Sequence, residues 1–431
     1  MNHFEYLAGE MHAESVSLNR IAEAVGTPTY IYSTATIERH ATVFRDGVKD
    51  CGCGNSLVAY AVKANTNGAI LKLVAECGLG ADIVSGGELI RARRAGIPAN
   101  MIVYSGVGKS VDEIKLALRE GIYQFNLESE QEAELISRVA TEIGVEAPVA
   151  YRVNPDVDAG THAKISTGGA EDKFGVPAHR IVAAYERARE LPGLRVQGIA
   201  VHIGSQLTDL EPLRKAYAAL GVLIRDLRAQ GHNIQVADLG GGLGVPYVEG
   251  EPEPPTPEDY GRMVSEVTAG WDVRLVFEPG RVIVGNAGVL LTRVMLVKEG
   301  EPDPFVVVDA GMNDLMRPAM YDAWHDIFAV ERKPSQRRST VVGPVCESSD
   351  VLATSRDIDE VHEGDLLAIM TAGAYGSTMS SNYNSRGMAA EVMVRGDQFA
   401  VVRERQTIDQ LIANEVQQPE WTGAAKRSEA A

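Results

Sequence analysis

LVAYAVKANTNGAILKLVAECGLGADIV, residues 57–84, holds the fold in miniature. An apolar, β-branched run (57–62, LVAYAV) leads into a stretch of helical periodicity (68–78, GAILKLVAECG), then into a second run (80–84, GADIV). The periodic stretch stops on Gly78, which suits the left-handed backbone that closes a helix. The unit recurs. Further runs stand at 101–105 (MIVYS), 123–127 (YQFNL), 148–153 (PVAYRV), 197–203 (QGIAVHI), 235–239 (QVADL) and 274–278 (RLVFE), eight in all. Between the earlier ones lie GELIRARRAG, SVDEIKLALREG and SEQEAELISRVATEIG, which end at Gly96, Gly121 and Gly144. Eight strand–helix units in series predict a TIM-type (β/α)8 barrel over 36–280, with an open doubly wound sheet as the alternative.

After Gly280 the rhythm changes. RVIVGNAGVLLTRVMLVKEG, PFVVVDAGM, STVVGPVCE, GDLLAIMTAGAY and AAEVMVRGDQFAVVRERQ read as strands with turn residues between them and no helices. They predict a second, mostly β domain over 281–418, of Greek-key or β-barrel type, so that the fold class is α/β plus β. The first 35 residues include a strand (VGTPTYIYS) that can pair with that domain. Residues 250–259 (GEPEPPTPED) read as a Pro/Glu-rich loop, 162–175 (HAKISTGGAEDKFG) as a loop too long for a mere connection, and 419–431 as a frayed tail.

Composition excludes some functions. Hydrophobic residues make up 45% and charged residues 23%, enough for a globular core. Lys+Arg 41 against Asp+Glu 59 gives a net charge of −18, which argues against nucleic acid and against anionic lipid as partners. No run is long enough to span a membrane, and MNHFEYLAGE is no secretory leader. Cys51, Cys53, Cys77 and Cys346 make neither a disulfide framework nor a metal site, so a cytoplasmic protein with reduced thiols and no metal is expected.

Barrels of this type carry their site at the C-terminal ends of the strands. Lys63 follows the first strand, His202 the sixth and Gly240-Gly241-Gly242 the seventh, while Glu278, Gly280 and Arg281 close the eighth. Taken singly, these are a solvated lysine, a core histidine, a loop and a turn. Around one mouth they match the needs of pyridoxal phosphate. Lys63 offers an amine for a Schiff base, the glycines let backbone N–H groups approach a phosphate, Glu278 offers an acid to the pyridine nitrogen, and His202 can pack on the ring. A flavin or sugar phosphate could use the glycines but leaves Lys63 and Glu278 unexplained.

The motifs AVKAN (61–65), HIGSQ (202–206), DLGGGLG (238–244) and EPGR (278–281) resemble those of the pyridoxal-phosphate-dependent decarboxylases built on an alanine-racemase-like barrel with a C-terminal β domain. MNDLMRPAMYDAWH (312–325), GPVCESSD (343–350) and GAYGSTMSSNYNSR (373–386) extend the resemblance over nearly the whole chain. It implies Lys63 and Cys346 as catalytic groups, Cys346 being the proton donor. It implies cofactor contacts from Asp82, His202, Ser205, Gly241, Gly242, Glu278, Gly280, Arg281 and Tyr375. Substrate contacts are implied for Arg281, Arg317, Tyr321, Glu347 and Tyr375. The implied reaction removes CO2 from the D-centre of meso-diaminopimelate to give L-lysine. The implied assembly is a homodimer in which Cys346 and Glu347 reach the partner's cofactor. A far-end carboxylate calls for arginine, and Arg317 and Arg281 are the candidates. The alternatives are a decarboxylase of another diamino acid, a racemase of the same fold, and a non-catalytic regulatory homologue. One departure is Gly387-Met388 where the family commonly has Pro-Arg.

Overall fold

The computed structural model describes residues 2–155, 173–250 and 252–422. Eight parallel strands form the barrel: β1 (Leu57–Ala61), β2 (Gly80–Ile83), β3 (Ile102–Tyr104), β4 (Gln124–Leu127), β5 (Ala147–Asn154), β6 (Leu194–Val201), β7 (Val236–Asp238) and β8 (Arg274–Phe277). Each pairs with the next, and β8 pairs back with β1, so the sheet closes and the open-sheet alternative falls. Helices follow as the periodicity requires, at Gly68–Glu76, Gly86–Arg94, Val111–Glu120 and Glu130–Ile143. Each starts on a side-chain cap, from Asn67, Ser85, Ser110 and Ser129 respectively. Gly121 and Gly144 close the last two at φ 72°, which other residues adopt only under strain.

Alternation along the strands divides two cores. Val58 and Tyr60 point outward into the large core under the helices. Leu57, Ala59, Val103, Val236 and Val276 form a separate small cluster inside the barrel. Two residues further along, those inward rows turn polar, at Ser105, Asp238 and Glu278, all buried. The apolar plug thus sits at the N-terminal end and the polar groups at the mouth.

The β region is built on one long strand, Gly288–Lys298, which pairs antiparallel with Phe305–Val308, with Leu366–Ile369 and with Thr29–Ser33. Thr29–Ser33 also runs parallel to Ala390–Arg395, so the N-terminal strand lies inside this sheet. Its Tyr32 hydroxyl donates to buried Glu391 at 2.6 Å. A small antiparallel sheet of Phe4–Leu7, Glu10–Ala13 and Val16–Ser17, which the sequence reading leaves out, precedes it.

Three readings need correction. The run from Arg281 is not strand at first: Arg281–Val284 is a helical turn, and the strand begins only at Gly288. The β region is not free of helices, since Arg317–Tyr321 and Ile408–Ile412 are helical. Pro257 to Asp259 belong not to a loop but to the first turn of helix Pro257–Val267, where Thr256 and Asp259 form a capping box that proline at the first position favours. Most of the 162–175 loop and most of the 419–431 tail lie outside the described residues.

Candidate active site

Lys63 sits in the short turn Val62–Ala64 directly after β1. That turn is clamped from the β region: Tyr375 N–H donates to Ala64 O at 2.8 Å, and Asn65 Nδ2 donates to Gly373 O at 3.0 Å. The clamp needs glycine at 373, because a Cβ there would lie 1.9 Å from Val284 O. Tyr375 itself holds φ 56°, a strained conformation that the surroundings impose.

Lys63 Nζ lies 2.6 Å from Asp82 Oδ2, and Asp82 is fully buried on β2. Burial alone would depress the ammonium, but the charge of Asp82, first among the groups that oppose it, outweighs burial and holds it charged above the ordinary lysine range. Asp82 Oδ1 has no hydrogen-bond partner. Glu278 accepts from Ser105 Oγ at 3.2 Å and stands close to Asp238. Burial first, then the charges of Asp238 and Asp82, push its carboxyl well above the usual range, so it keeps its proton. Asp238 is raised as well, chiefly by burial, yet it accepts from Asn126 Nδ2 at 2.8 Å and from Gly240 N–H at 3.0 Å.

His202 closes β6. Gly241 N–H donates to its Nδ1 at 3.2 Å, which leaves the ring neutral with its proton on Nε2. Burial, followed by the charges of Arg152 and Lys63, holds it well below the usual imidazole range. Gly241 passes so close to the eighth strand end that a Cβ would fall 2.2 Å from Glu278 O. Gly240 to Gly242, Ser205, Gly280 and Arg281 line one cavity together with Lys63, His202, Glu278 and Tyr375. A second cavity shares Lys63, His202 and Glu278 and is walled by Arg152 and Phe174.

Arg281 Nη2 donates to Ser205 Oγ at 3.2 Å, and its Cζ lies 4.8 Å from the Tyr375 ring centroid. Tyr247 accepts from Arg281 and presents its ring to Arg317, 4.6 Å from Cζ. Both guanidiniums are buried, and among the described residues no carboxylate comes within ion-pair distance of either. Buried cations without a counter-anion await an anionic ligand.

A family profile described as pyridoxal-dependent decarboxylase, pyridoxal binding domain, matches residues 34–285. The chain is 50% identical to the diaminopimelate decarboxylase of Zymomonas mobilis, over 97% of this chain and 99% of that one. It is 51% identical to that of Pseudomonas aeruginosa, over 96% and 99%. The chain belongs to the diaminopimelate decarboxylase family. Among solved structures, diaminopimelate decarboxylase from M. jannaschii in co-complex with L-lysine superimposes with a TM-score of 0.92 at 38% identity, covering 96% of this chain and 99% of that one. A pyridoxal-binding family member needs a lysine, a glycine-lined cradle and an acid for the ring nitrogen, and the cavity supplies all three, with buried Asp82 behind its lysine.

Not every expected residue of this diaminopimelate decarboxylase family member reaches that cavity. Cys346 and Glu347 lie exposed on the loop after strand Gln336–Val342, where Cys346 N–H donates to Asn384 Oδ1 at 2.7 Å and Glu347 accepts from Tyr383 at 3.2 Å. Tyr321 ends the helix that Arg317 begins. Gly387 fits its place sterically, because a Cβ there would lie 2.2 Å from Gln406 O. Sequence reasoning missed Tyr247, Asp238, Asn126 and His325. Asp238 and His325 stand inside quoted motifs, but nothing in their spacing marks them off from the structural residues around them.

Proposed function

We propose that the chain removes CO2 from the D-centre of meso-diaminopimelate and releases L-lysine, the closing step of lysine biosynthesis, with pyridoxal phosphate at the barrel mouth. The observation that carries the substrate choice is the buried, uncompensated guanidinium of Arg317, joined through the Tyr247 ring to Arg281 on the wall of Lys63's cavity. A simple diamine offers nothing for it, whereas diaminopimelate keeps a carboxylate at the end that does not react.

When bound, the cofactor supplies an electrophilic aldehyde and a ring that draws off the electron pair left by departing CO2. Lys63 would hold the aldehyde. Ser205, Gly241, Gly242 and Gly280 would hold the phosphate, with Arg281 at its edge. Glu278, kept protonated by burial and by Asp238, can supply a proton at the ring nitrogen. His202, neutral and fixed through Nδ1, can lie against the ring, and Asp82 and Tyr375 close its sides. Arg317 and Tyr321 hold the far carboxylate, and Glu347 answers the far ammonium.

Cys346 would deliver the proton to the carbon that CO2 leaves, but its loop is exposed and absent from the cavity of its own chain. Active sites shared across a homodimer account for that placement. In this reading 36–280 is the cofactor-binding unit, 281–418 the unit that lends Cys346, and 1–35 the segment whose strand pairs with that second unit. The four cysteines are unpaired, which supports a reducing, cytoplasmic setting. Among the described residues no helix is long and apolar enough to cross a membrane.

Incubation with meso-diaminopimelate, L-lysine and L-ornithine, following CO2, tests the substrate: release from the first alone is expected, and release from either of the others refutes it. Subunit mixing tests the sharing. Lys63→Ala and Cys346→Ala proteins, each inactive, should regain about half of one dimer's activity per mixed dimer, because symmetry leaves one site with neither lesion. No recovery in any mixture means that both groups come from one chain.

A further inference from the structure

Arg317 is held in an unusual way. It opens helix Arg317–Tyr321 and is only 6% exposed, yet its one side-chain hydrogen-bond partner among the described residues is His325. Arg317 Nη1 lies 2.8 Å from His325 Nε2. His325 is completely buried, and its Nδ1 lies 2.8 Å from Met370 O, one residue past strand Leu366–Ile369. A carbonyl oxygen only accepts, so Nδ1 must carry the proton and donate. A guanidinium only donates, so Nε2 must accept. Only the neutral tautomer satisfies both ends. The Tyr247 ring stands edge-on to His325, with centroids 5.2 Å apart and planes at 88°, and lies over the Arg317 guanidinium. The imidazole is therefore locked on two sides, by the β sheet through Met370 and by the Tyr247 ring.

Most buried arginines are oriented by a carboxylate, which also cancels the charge. Here a neutral acceptor orients the guanidinium and leaves its full charge available. We propose that His325 is a positioning residue for substrate specificity: it aims Arg317 at the far carboxylate of the amino acid without neutralising it. Burial, and then the charge of Arg317 itself, press the imidazole down to about 3, so it stays neutral through the working range. The inference rests on Arg317 reading that carboxylate, and its test must separate the two.

L-Lysine keeps the far carboxylate, and pentane-1,5-diamine lacks it. Inhibition constants for both, measured on the holoenzyme, read the arginine without depending on the chemical step. Arg317→Ala should weaken L-lysine strongly and leave the diamine alone. His325→Leu should weaken L-lysine and raise the KM for meso-diaminopimelate by roughly 10- to 100-fold, as expected for one lost hydrogen bond to a charged group, while the diamine constant and cofactor content stay put. His325→Gln should restore most of the L-lysine affinity, since its amide can accept from Arg317 and donate to Met370. If Arg317→Ala shifts the lysine-to-diamine ratio and His325→Leu does not, the positioning role is overturned. If neither shifts it, the reading of Arg317 is overturned instead. Should His325→Leu fail to fold, His325→Glu keeps an acceptor but adds a charge that competes for Arg317. It should lower L-lysine affinity selectively, and an unchanged ratio overturns the proposal.

Discussion

Asp238→Asn swaps one atom in the barrel interior and should cost far more than its size suggests. Asp238 accepts from Asn126 Nδ2 on Oδ2 at 2.8 Å and from Gly240 N–H on Oδ1 at 3.0 Å. An asparagine has one acceptor oxygen, so whichever way its amide turns, one N–H group faces another. Asn126 cannot rotate to help, because its Oδ1 already accepts from Gln124 Nε2 at 2.8 Å, and Gln124 Oε1 from Gln197 Nε2 at 3.2 Å. One lost bond to a charged acceptor and one unsatisfied buried donor cost about 3–5 kcal/mol, and removing the cost of burying the Asp238 charge returns part of it, for a net loss of about 2 kcal/mol or more. The loss should also depend on pH. Glu278 has a raised carboxyl in the folded chain, so its proton stabilises the fold fully below the unfolded value of 4.5, and this is lost as pH rises toward the folded value. Asp238 is part of what raises it, so the variant's decline is shallower and the gap narrows toward high pH. Urea unfolding of cofactor-free wild-type and variant proteins at matched concentration, from about pH 5 to about pH 8.5, reads both effects. Coincident free energies, or a gap that widens with pH, would refute the reasoning.

Three further outcomes are expected. Lys63→Ala should lose the covalent cofactor adduct trapped by borohydride and seen by mass spectrometry; an adduct on another lysine sinks the assignment. Glu278→Gln should lower kcat far more than cofactor content, and a near-normal kcat would remove its role at the ring nitrogen. Gly221→Ala, inside helix Glu211–Ala229, would place a Cβ 2.8 Å from the Trp271 indole, so the usual gain of about 1 kcal/mol from replacing a helical glycine should turn into a loss of about 1–2 kcal/mol. A raised Tm would show that Trp271 yields more easily than its packing suggests.

The barrel was legible because its signal is local and repeated. Each strand is an apolar run flanked by a periodic helix and a glycine stop, so order alone supplies the closed sheet. The helical turn at Arg281–Val284 was not legible, since RVIV has the composition of a strand. What bends it is tertiary: the chain must turn within a few residues from the eighth barrel strand into Gly288–Lys298 while Ala61 N–H is tied to Pro279 O. The site residues that could be read from sequence stand at strand ends, where a lysine, histidine or glycine triplet breaks an apolar pattern. Tyr247 and His325 break no pattern, and their roles come from what they touch across more than 30 residues of chain, at Arg281 and Met370.

The inward rows hold the hardest lesson. Gln124 and Asn126 are buried polar residues in a run, YQFNL, that reads as an ordinary strand. Folded, they form part of a directional chain in which Arg195 donates to Gln197, Gln197 to Gln124, Gln124 to Asn126 and Asn126 to Asp238. Every donor points along the chain toward Asp238. The order is forced from both ends, by an arginine that can only donate and by a carboxylate that accepts. An apolar filling would pack as densely but would leave Asp238 without its amide donor. Asp238 would then hold a proton of its own, and its charge would no longer help to keep Glu278 protonated. The polar column thus bears on the protonation of Glu278, whose carboxyl is raised first by burial and next by Asp238, through residues that lie on the fourth and sixth barrel strands. Such a chain has no sequence period, because each link lies on a different strand or at a different height, and only closure of the sheet brings the links into line.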